Sequence, residues 1–174
     1  MPSPVVFPFY PSKYFSLNVT TTTISDQQYK YVKNKIEKLG LSKKVTLLKK
    51  DYRDLKGKYN KLVSIEMIEA VGHEFYDAYF NKISNLLTKD GDAIIQAITI
   101  RDQRFDQALK SVDFIQKYIF PGSCIPSLYI IQKSLKNVTD MTIFNIEDIG
   151  FDYSKTLKDW RKKFLKNKKE IIKL

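Results

Sequence analysis

Cysteine and histidine are almost missing from this chain of 174 residues, which holds only Cys124 and His73. A single cysteine excludes an internal disulfide and suits a reducing compartment. One histidine with one distant thiol cannot supply the three or four ligands of a structural or catalytic zinc site, so no metal is expected. The six glycines never fall two apart, and no P-loop, G-x-S-x-G or C-x-x-C pattern occurs. A glycine-rich nucleotide loop of the Rossmann type is therefore not encoded in these residues. No apolar run approaches the ~20 residues that cross a bilayer. The opening MPSPVVFPFYPSKYF lacks an early basic region, and Pro2, Pro4, Pro8 and Pro11 interrupt it, so it does not read as a signal peptide. These absences predict a cytoplasmic chain, at most peripheral to a membrane.

Basic residues are plentiful: 30 Lys+Arg against 19 Asp+Glu give a formal charge of +11. Such a surface favours anionic partners. It equally fits lysines that only solvate the surface, and the two readings stand level. No RRM, helix-turn-helix or zinc-finger pattern accompanies the charge, so nucleic acid is not expected as a partner.

Residues 1–17 read as an irregular, proline-rich start. An α/β pattern follows over 18–174. The β-branched run Val19–Ile24 predicts a strand. Ser25 with Gln28 predicts a capping box on a helix carrying Tyr29, Val32, Ile36 and Leu39 and ending at Gly40. Short strands are expected at Val45–Leu48 and Lys61–Ile65. A helix from about Glu74 to Leu87 should bury Phe75, Tyr79, Ile83 and Leu86. After a turn at Asp90-Gly91, the apolar run Ala93–Thr99 predicts a strand buried in a parallel sheet with helices on both faces. One helix is expected over Phe105–Tyr118, a short one capped by Ser127, a strand-like stretch at Met141–Ile146, and a basic helix from Tyr153 to about Lys169.

Ligands of open α/β sheets sit beyond the carboxyl ends of the strands. Here that rule selects Thr23–Gln28, Asp51–Asp54, Glu66–Gly72 and Gln96–Ile100, each of which also fits a capped helix or a satisfied turn. Glu69, in the apolar setting SIEMIEAVG, is the most informative residue. Burial would raise its pKa and suit it to holding a bound group; as a helix-start acid it would only complement a dipole. Glu66, three residues earlier, could share its face. His73, at a helix start, suits capping.

Six segments in order resemble the cyclopropane-fatty-acid synthase family: VTTTTISDQQYKYVKNKI, KDYRDL, SIEMIEAVGHEFYDAYF, IIQAITIRDQRF, SVDFIQKYIFPGSCIPS and EDIGFDYSKTLKDWRKKF. They span roughly Asn18 to Phe164. The resemblance implies a partial, Rossmann-like class I methyltransferase fold. It also implies methyl transfer from S-adenosylmethionine to a cis double bond of a phospholipid acyl chain at a membrane surface. The resulting carbocation loses a proton, with bicarbonate as base, and closes to a cyclopropane. By resemblance Thr23, Ser25 and Gln28 lie on the ribose side of the cofactor, with Asp51 and Tyr52 near the adenine. Glu69, Tyr153, Gln96 and the Ile98 backbone form the proton-handling site. Gln96 stands where many members carry histidine, and Cys124 falls in the PGSC turn, where packing is its expected role.

The first strand and its glycine-rich loop, of the form IGCGWGG, have no counterpart here, nor do the family's closing strands, so a truncated member is expected. The alternative is a non-catalytic relative that binds a membrane or a partner. Behind it stands the last helix, where Leu157, Trp160, Phe164 and Ile171 share a face flanked by lysines.

Overall fold

The computed structural model describes residues 8–172, which fall into two compact units, 8–142 and 143–172. In the larger unit, a first helix α1 (Phe9–Tyr14) is followed by β1 (Val19–Thr22), α2 (Asp26–Lys38) and β2 (Val45–Leu48). Next come β3 (Tyr59–Ile65), α3 (Tyr76–Leu86), β4 (Leu87–Gln96), α4 (Asp102–Leu109), α5 (Phe114–Tyr118) and α6 (Leu128–Val138). Single 3₁₀ turns at Tyr52–Asp54, Ile68–Ala70 and His73–Phe75 fill the connections. All strand pairing is parallel: β1 lies beside β2, and β3 beside β4. Each pair is joined through a helix, as parallel neighbours require.

The first parallel pair is well explained by local sequence. Ser25 caps α2 by accepting from the Gln28 N–H, and Gly40, at φ +66°, ends it. Only half of the expected capping box forms. The Gln28 side chain turns to the Thr23 hydroxyl at 2.7 Å, and the Ser25 N–H donates to the same hydroxyl at 3.1 Å. Val32 and Ile36 of α2 pack with Val45, Leu41 and Phe9 in a small core, while Leu39 of the expected face is exposed. Phe9 belongs to α1, so the proline-rich start is helical over Phe9–Tyr14 and not irregular there. Pro8 stands at the N-cap and Pro11 near the helix start, where a missing N–H removes no helical bond. Residues 1–7 of that segment lie outside the described residues.

The second pair carries the main core. Helix α3 buries Tyr76, Tyr79, Phe80 and Ile83 in a cluster with Ile68, Leu87, Phe105 and Leu135, and its Leu86 is buried as well. Phe75, expected on that face, is instead exposed: it precedes the helix, which begins at Tyr76, and Tyr76 is the aromatic residue that is buried. Each fully buried large apolar side chain contributes about 1.5–3 kcal/mol. The Asp90-Gly91 turn is absorbed into β4. Tyr59 pairs with Leu87 but Lys61 pairs with Asp92, so the extra residues bulge out of the ladder.

Strand β4 ends at Gln96, not Thr99, and is not buried on both faces. Leu62 with Ala93 and Ser64 with Ile95 face the core, whereas Val63 and Ile94 point away and Ile94 is 66% exposed. The expected helix over Phe105–Tyr118 is two, divided where Asp113 caps α5 with a full capping box. His73 makes no capping bond; Gly72, at φ +87°, is the residue before that turn, and His73 Nδ1 lies 3.4 Å from Glu74. Met141–Ile146 forms no ladder among the described residues. The smaller unit consists of helices α7 (Gly150–Lys166) and α8 (Lys168–Ile171) with the segment leading into them. No helix among the described residues is long and apolar enough to cross a membrane.

Candidate functional site

Each parallel pair brings its two carboxyl ends to one edge, and each of these edges holds a group of polar residues. At the ends of β1 and β2 the Thr23 N–H reaches the Leu48 carbonyl at 3.1 Å, and the Thr22 hydroxyl reaches that of Lys50 at 2.6 Å. These bonds fasten Thr23 and Asp51 to neighbouring strand ends. The Asp51 carboxylate accepts from the Arg53 N–H at 2.8 Å and from its guanidinium at 2.9 Å through two nitrogens. The Arg53 contacts hold its pKa below the ordinary carboxylate value. Tyr52 lies edge-on to Tyr79, ring centroids 5.8 Å apart, and burial raises its phenol pKa. Thr23, Ser25, Gln28, Asp51 and Tyr52 thus stand together as a polar rim with one aromatic face.

The second group lies at the ends of β3 and β4. Glu69 Oε1 accepts from the Ile98 N–H at 2.5 Å, so the expected meeting of these two residues is present. Glu69 Oε2 is buried and has no hydrogen-bond partner. Burial raises the Glu69 pKa, the Ile98 N–H partly offsets this, and the nearby Glu66 carboxylate adds to the rise. A carboxyl group with a raised pKa and one oxygen without a partner can share a proton with an anion. Below it, the Glu69 carbonyl accepts from the Cys124 N–H at 2.8 Å, and the Cys124 carbonyl accepts from the Tyr76 hydroxyl at 2.7 Å. Burial raises the Tyr76 phenol well above its ordinary value and keeps it a donor. Cys124 is buried, in keeping with its expected packing role.

Gln96 is at the same strand end, but its amide meets Glu66 at 3.4 Å and not Glu69. The Glu66 N–H in turn donates to the Gln96 carbonyl at 2.8 Å, and Glu66 holds φ +49°. That conformation is strained for a residue with a Cβ, and such strain gathers at functional turns. Glu66 was expected to share the face of Glu69 or to divide with it between ligand and surface, and it lies beside the site; Tyr76 is the site neighbour that sequence reasoning did not place. The I-E-M-I-E spacing offered a signal for the first; nothing in the pattern pointed to the second. Tyr153 belongs to the smaller unit, where its ring stands edge-on to Trp160 at 6.5 Å. No group of three or more potential metal ligands occurs among the described residues.

The solved structure of a mycolic acid cyclopropane synthase complexed with SAH and CTAB matches this chain with a TM-score of 0.82 and 26% identity. It is matched over 96% of this chain and 61% of its own. A second cyclopropane synthase, from Mycobacterium tuberculosis, shares the fold at a TM-score of 0.80, 19% identity, and 93% and 60% coverage. The fold is that of the class I S-adenosylmethionine-dependent methyltransferases, present in part. Among curated proteins, a tuberculostearic acid methyltransferase of Mycobacterium tuberculosis is 32% identical over 87% of this chain and 35% of its own length. The cyclopropane-fatty-acyl-phospholipid synthase of Escherichia coli is 33% identical over 90% and 38%. A sphingolipid C9-methyltransferase of Candida albicans is 30% identical over 94% and 33%. The mycolic acid cyclopropane synthetase family matches residues 9–174, and the chain belongs to that family. S-adenosylmethionine is the family's cosubstrate. The chain spans little more than a third of the length of the curated relatives it matches.

Proposed function

We propose that this chain carries the acceptor and proton-handling half of a lipid C-methyltransferase that acts on cis double bonds of phospholipid acyl chains. The carrying observation is Glu69: half-buried, fixed by the Ile98 N–H, and with a buried Oε2 that has no hydrogen-bond partner. Relatives are named for fatty-acyl phospholipid, tuberculostearic and sphingolipid substrates, which supports the lipid class and leaves the phospholipid acyl chain as our choice.

The adenosine end of S-adenosylmethionine fits the residues present. Thr23, Gln28 and Asp51 offer hydroxyl, amide and carboxylate groups for ribose and adenine, Tyr52 offers a ring face, and Ser25 fixes the helix start behind them. No segment of this sequence forms a glycine-rich loop for the methionine end. When bound, the cosubstrate supplies an electrophilic methyl group, whose bonding pair stays with sulfur while the alkene's π pair forms the new C–C bond. The carbocation left on the acyl chain then loses a proton from the added methyl, and that C–H pair closes the ring. A small oxyanion, bicarbonate by resemblance, accepts the proton. In its acid form, which burial favours, Glu69 would donate to this anion and avoid placing two negative charges in a dry pocket. Gln96, Ile98 and Tyr153 complete its surroundings in our reading.

Incubation with methyl-labelled S-adenosylmethionine and vesicles tests the proposal. Label should enter cis-unsaturated phospholipid and not its saturated counterpart once the glycine-rich strand, loop and helix of the family are supplied ahead of Asn18. Label that ignores unsaturation, or that never enters lipid, overturns it. The non-catalytic reading draws on the exposed apolar residues of α7, and the same assay, with vesicles bound and no label transferred, would favour it.

A further inference from the structure

Glu66 stands one residue beyond β3 in the left-handed region, at φ +49°. A residue with a Cβ is disfavoured there and glycine is not, and such a backbone persists only where its surroundings over-determine it. Two contacts fasten it, both to Gln96, the last residue of β4. The Glu66 N–H donates to the Gln96 carbonyl at 2.8 Å, and the Gln96 amide reaches back to Glu66 Oε1 at 3.4 Å. The first contact belongs to the backbone, and any residue but proline could make it. Only the second needs a glutamate side chain. Three residues on from Glu66 and two on from Gln96, Glu69 meets the Ile98 N–H, so this clasp and the Glu69 contact join the same two strand ends.

From the left-handed glutamate and its clasp we infer that Glu66 is a positioning residue of the Glu69 site: it turns the N–H side of the Gln96 amide towards itself and sets a second carboxylate beside Glu69. The inference rests on the proton-handling reading above and deepens it. An amide carries two N–H donors and one carbonyl acceptor, and a carboxylate can only accept. With one N–H held by Glu66, the other is left for a bound oxyanion. Released, the amide can turn over and offer its carbonyl, which repels an anion. The Glu66 charge also adds to the effect of burial in raising the Glu69 pKa. On α3, Tyr76 and Tyr79 feel the Glu69 charge as well, but their phenol pKa values are raised, so both are neutral across the carboxylate range. Gln96 and Ile98 bring no charge from the end of β4, and Cys124 touches Glu69 through its backbone.

The test uses the full chain with carboxyl-labelled glutamate, followed by carbon NMR through a pH titration, and Glu69→Gln identifies the Glu69 signal. Glu66→Gln and Glu66→Gly should both lower the Glu69 pKa, and Glu66→Asp, which keeps the charge, should lower it less. In Glu66→Gly the side-chain amide protons of Gln96 should move upfield as their carboxylate partner is lost. The same variant relaxes the left-handed backbone, so its urea midpoint should be no lower than the parent's. A Glu69 pKa unchanged in Glu66→Gln, or lowered equally in Glu66→Asp, would overturn the inference. So would a lower midpoint in Glu66→Gly, because the side chain would then serve the fold and not the site. No lipid or cosubstrate is present in these measurements, so their failure is separate from failure of the labelling assay.

Discussion

The hydroxyl pair Tyr79–Ser64 should be worth far more together than either group alone. Tyr79 on α3 donates to Ser64 Oγ on β3 at 2.7 Å, and the two residues are 1% and 8% exposed. This bond ties the helix to the strand that ends at Ile65, just before Glu66. Tyr79→Phe keeps the ring, and with it the edge-on contacts to Tyr52 and to Phe80 at 5.1 Å, but leaves the Ser64 hydroxyl without its donor. Ser64→Ala leaves the phenol unpaired in turn. A buried polar group stripped of its partner costs about 1–3 kcal/mol, whereas removing both partners is close to neutral. Each single variant should therefore lose about 1–3 kcal/mol in urea unfolding followed by circular dichroism. The double variant should lose no more than either single one, a coupling of about 1–2 kcal/mol. Additive losses would show that the bond contributes nothing and refute the reasoning. The same pair has an alkaline signature. Burial pushes the Tyr79 phenol up to about 12, above the ordinary value near 10. The folded pKa is the higher one, so this stability is whole below pH 10 and is lost as pH rises towards 12; Tyr79→Phe should abolish that part of the loss.

Phe80 is fully buried in the main core, and Phe80→Ala should cost about 3–5 kcal/mol in the same unfolding assay, whereas Phe75→Ala, at an exposed position, should cost under about 1. Glu69 has its pKa raised by burial, so its contribution is present below the unfolded glutamate value and is lost as pH rises through the folded one. The stability of Glu69→Gln relative to the parent should then improve as pH rises above the ordinary glutamate value of about 4.3, and a flat difference would show that Glu69 is not in a desolvated site. Calorimetry with S-adenosylmethionine should show weak or undetectable binding by these 174 residues, because no glycine-rich loop embraces the methionine end; micromolar affinity would contradict this.

Elements specified by neighbouring residues were legible in the sequence. Ser25, Gly40 and Ser127 mark helix ends through their own side chains or backbone, and all three act at the expected places. The Glu69–Ile98 contact was also legible, because both residues follow adjacent parallel strands and six ordered segments resembled one family. What failed depends on partners distant in sequence. The run Ala93–Thr99 reads as buried on both faces, yet Ile94 is largely exposed, and local pattern cannot show which face is covered. Phe75 and Tyr76 are equally aromatic, and only the one-residue start of α3 decides which enters the core. The prolines at 8 and 11 suggested irregular chain, but burial of Phe9 against α2 and β2 outweighs them. The left-handed backbone of Glu66 leaves no trace in composition, since an unfavourable conformation there is imposed by the Gln96 ladder bond.

The most direct test of the account is Glu69→Gln in a version of the chain carrying the family's strand, glycine-rich loop and helix ahead of Asn18. Turnover of methyl-labelled S-adenosylmethionine on cis-unsaturated phospholipid vesicles is measured beside cosubstrate affinity by calorimetry. The amide can still accept from the Ile98 N–H and donate to a bound oxyanion, but it cannot pass a proton to or from it, so turnover should fall about 100-fold or more while affinity stays within about twofold. Unchanged turnover, or a loss of affinity that accounts for the whole effect, would contradict a proton-handling role for Glu69.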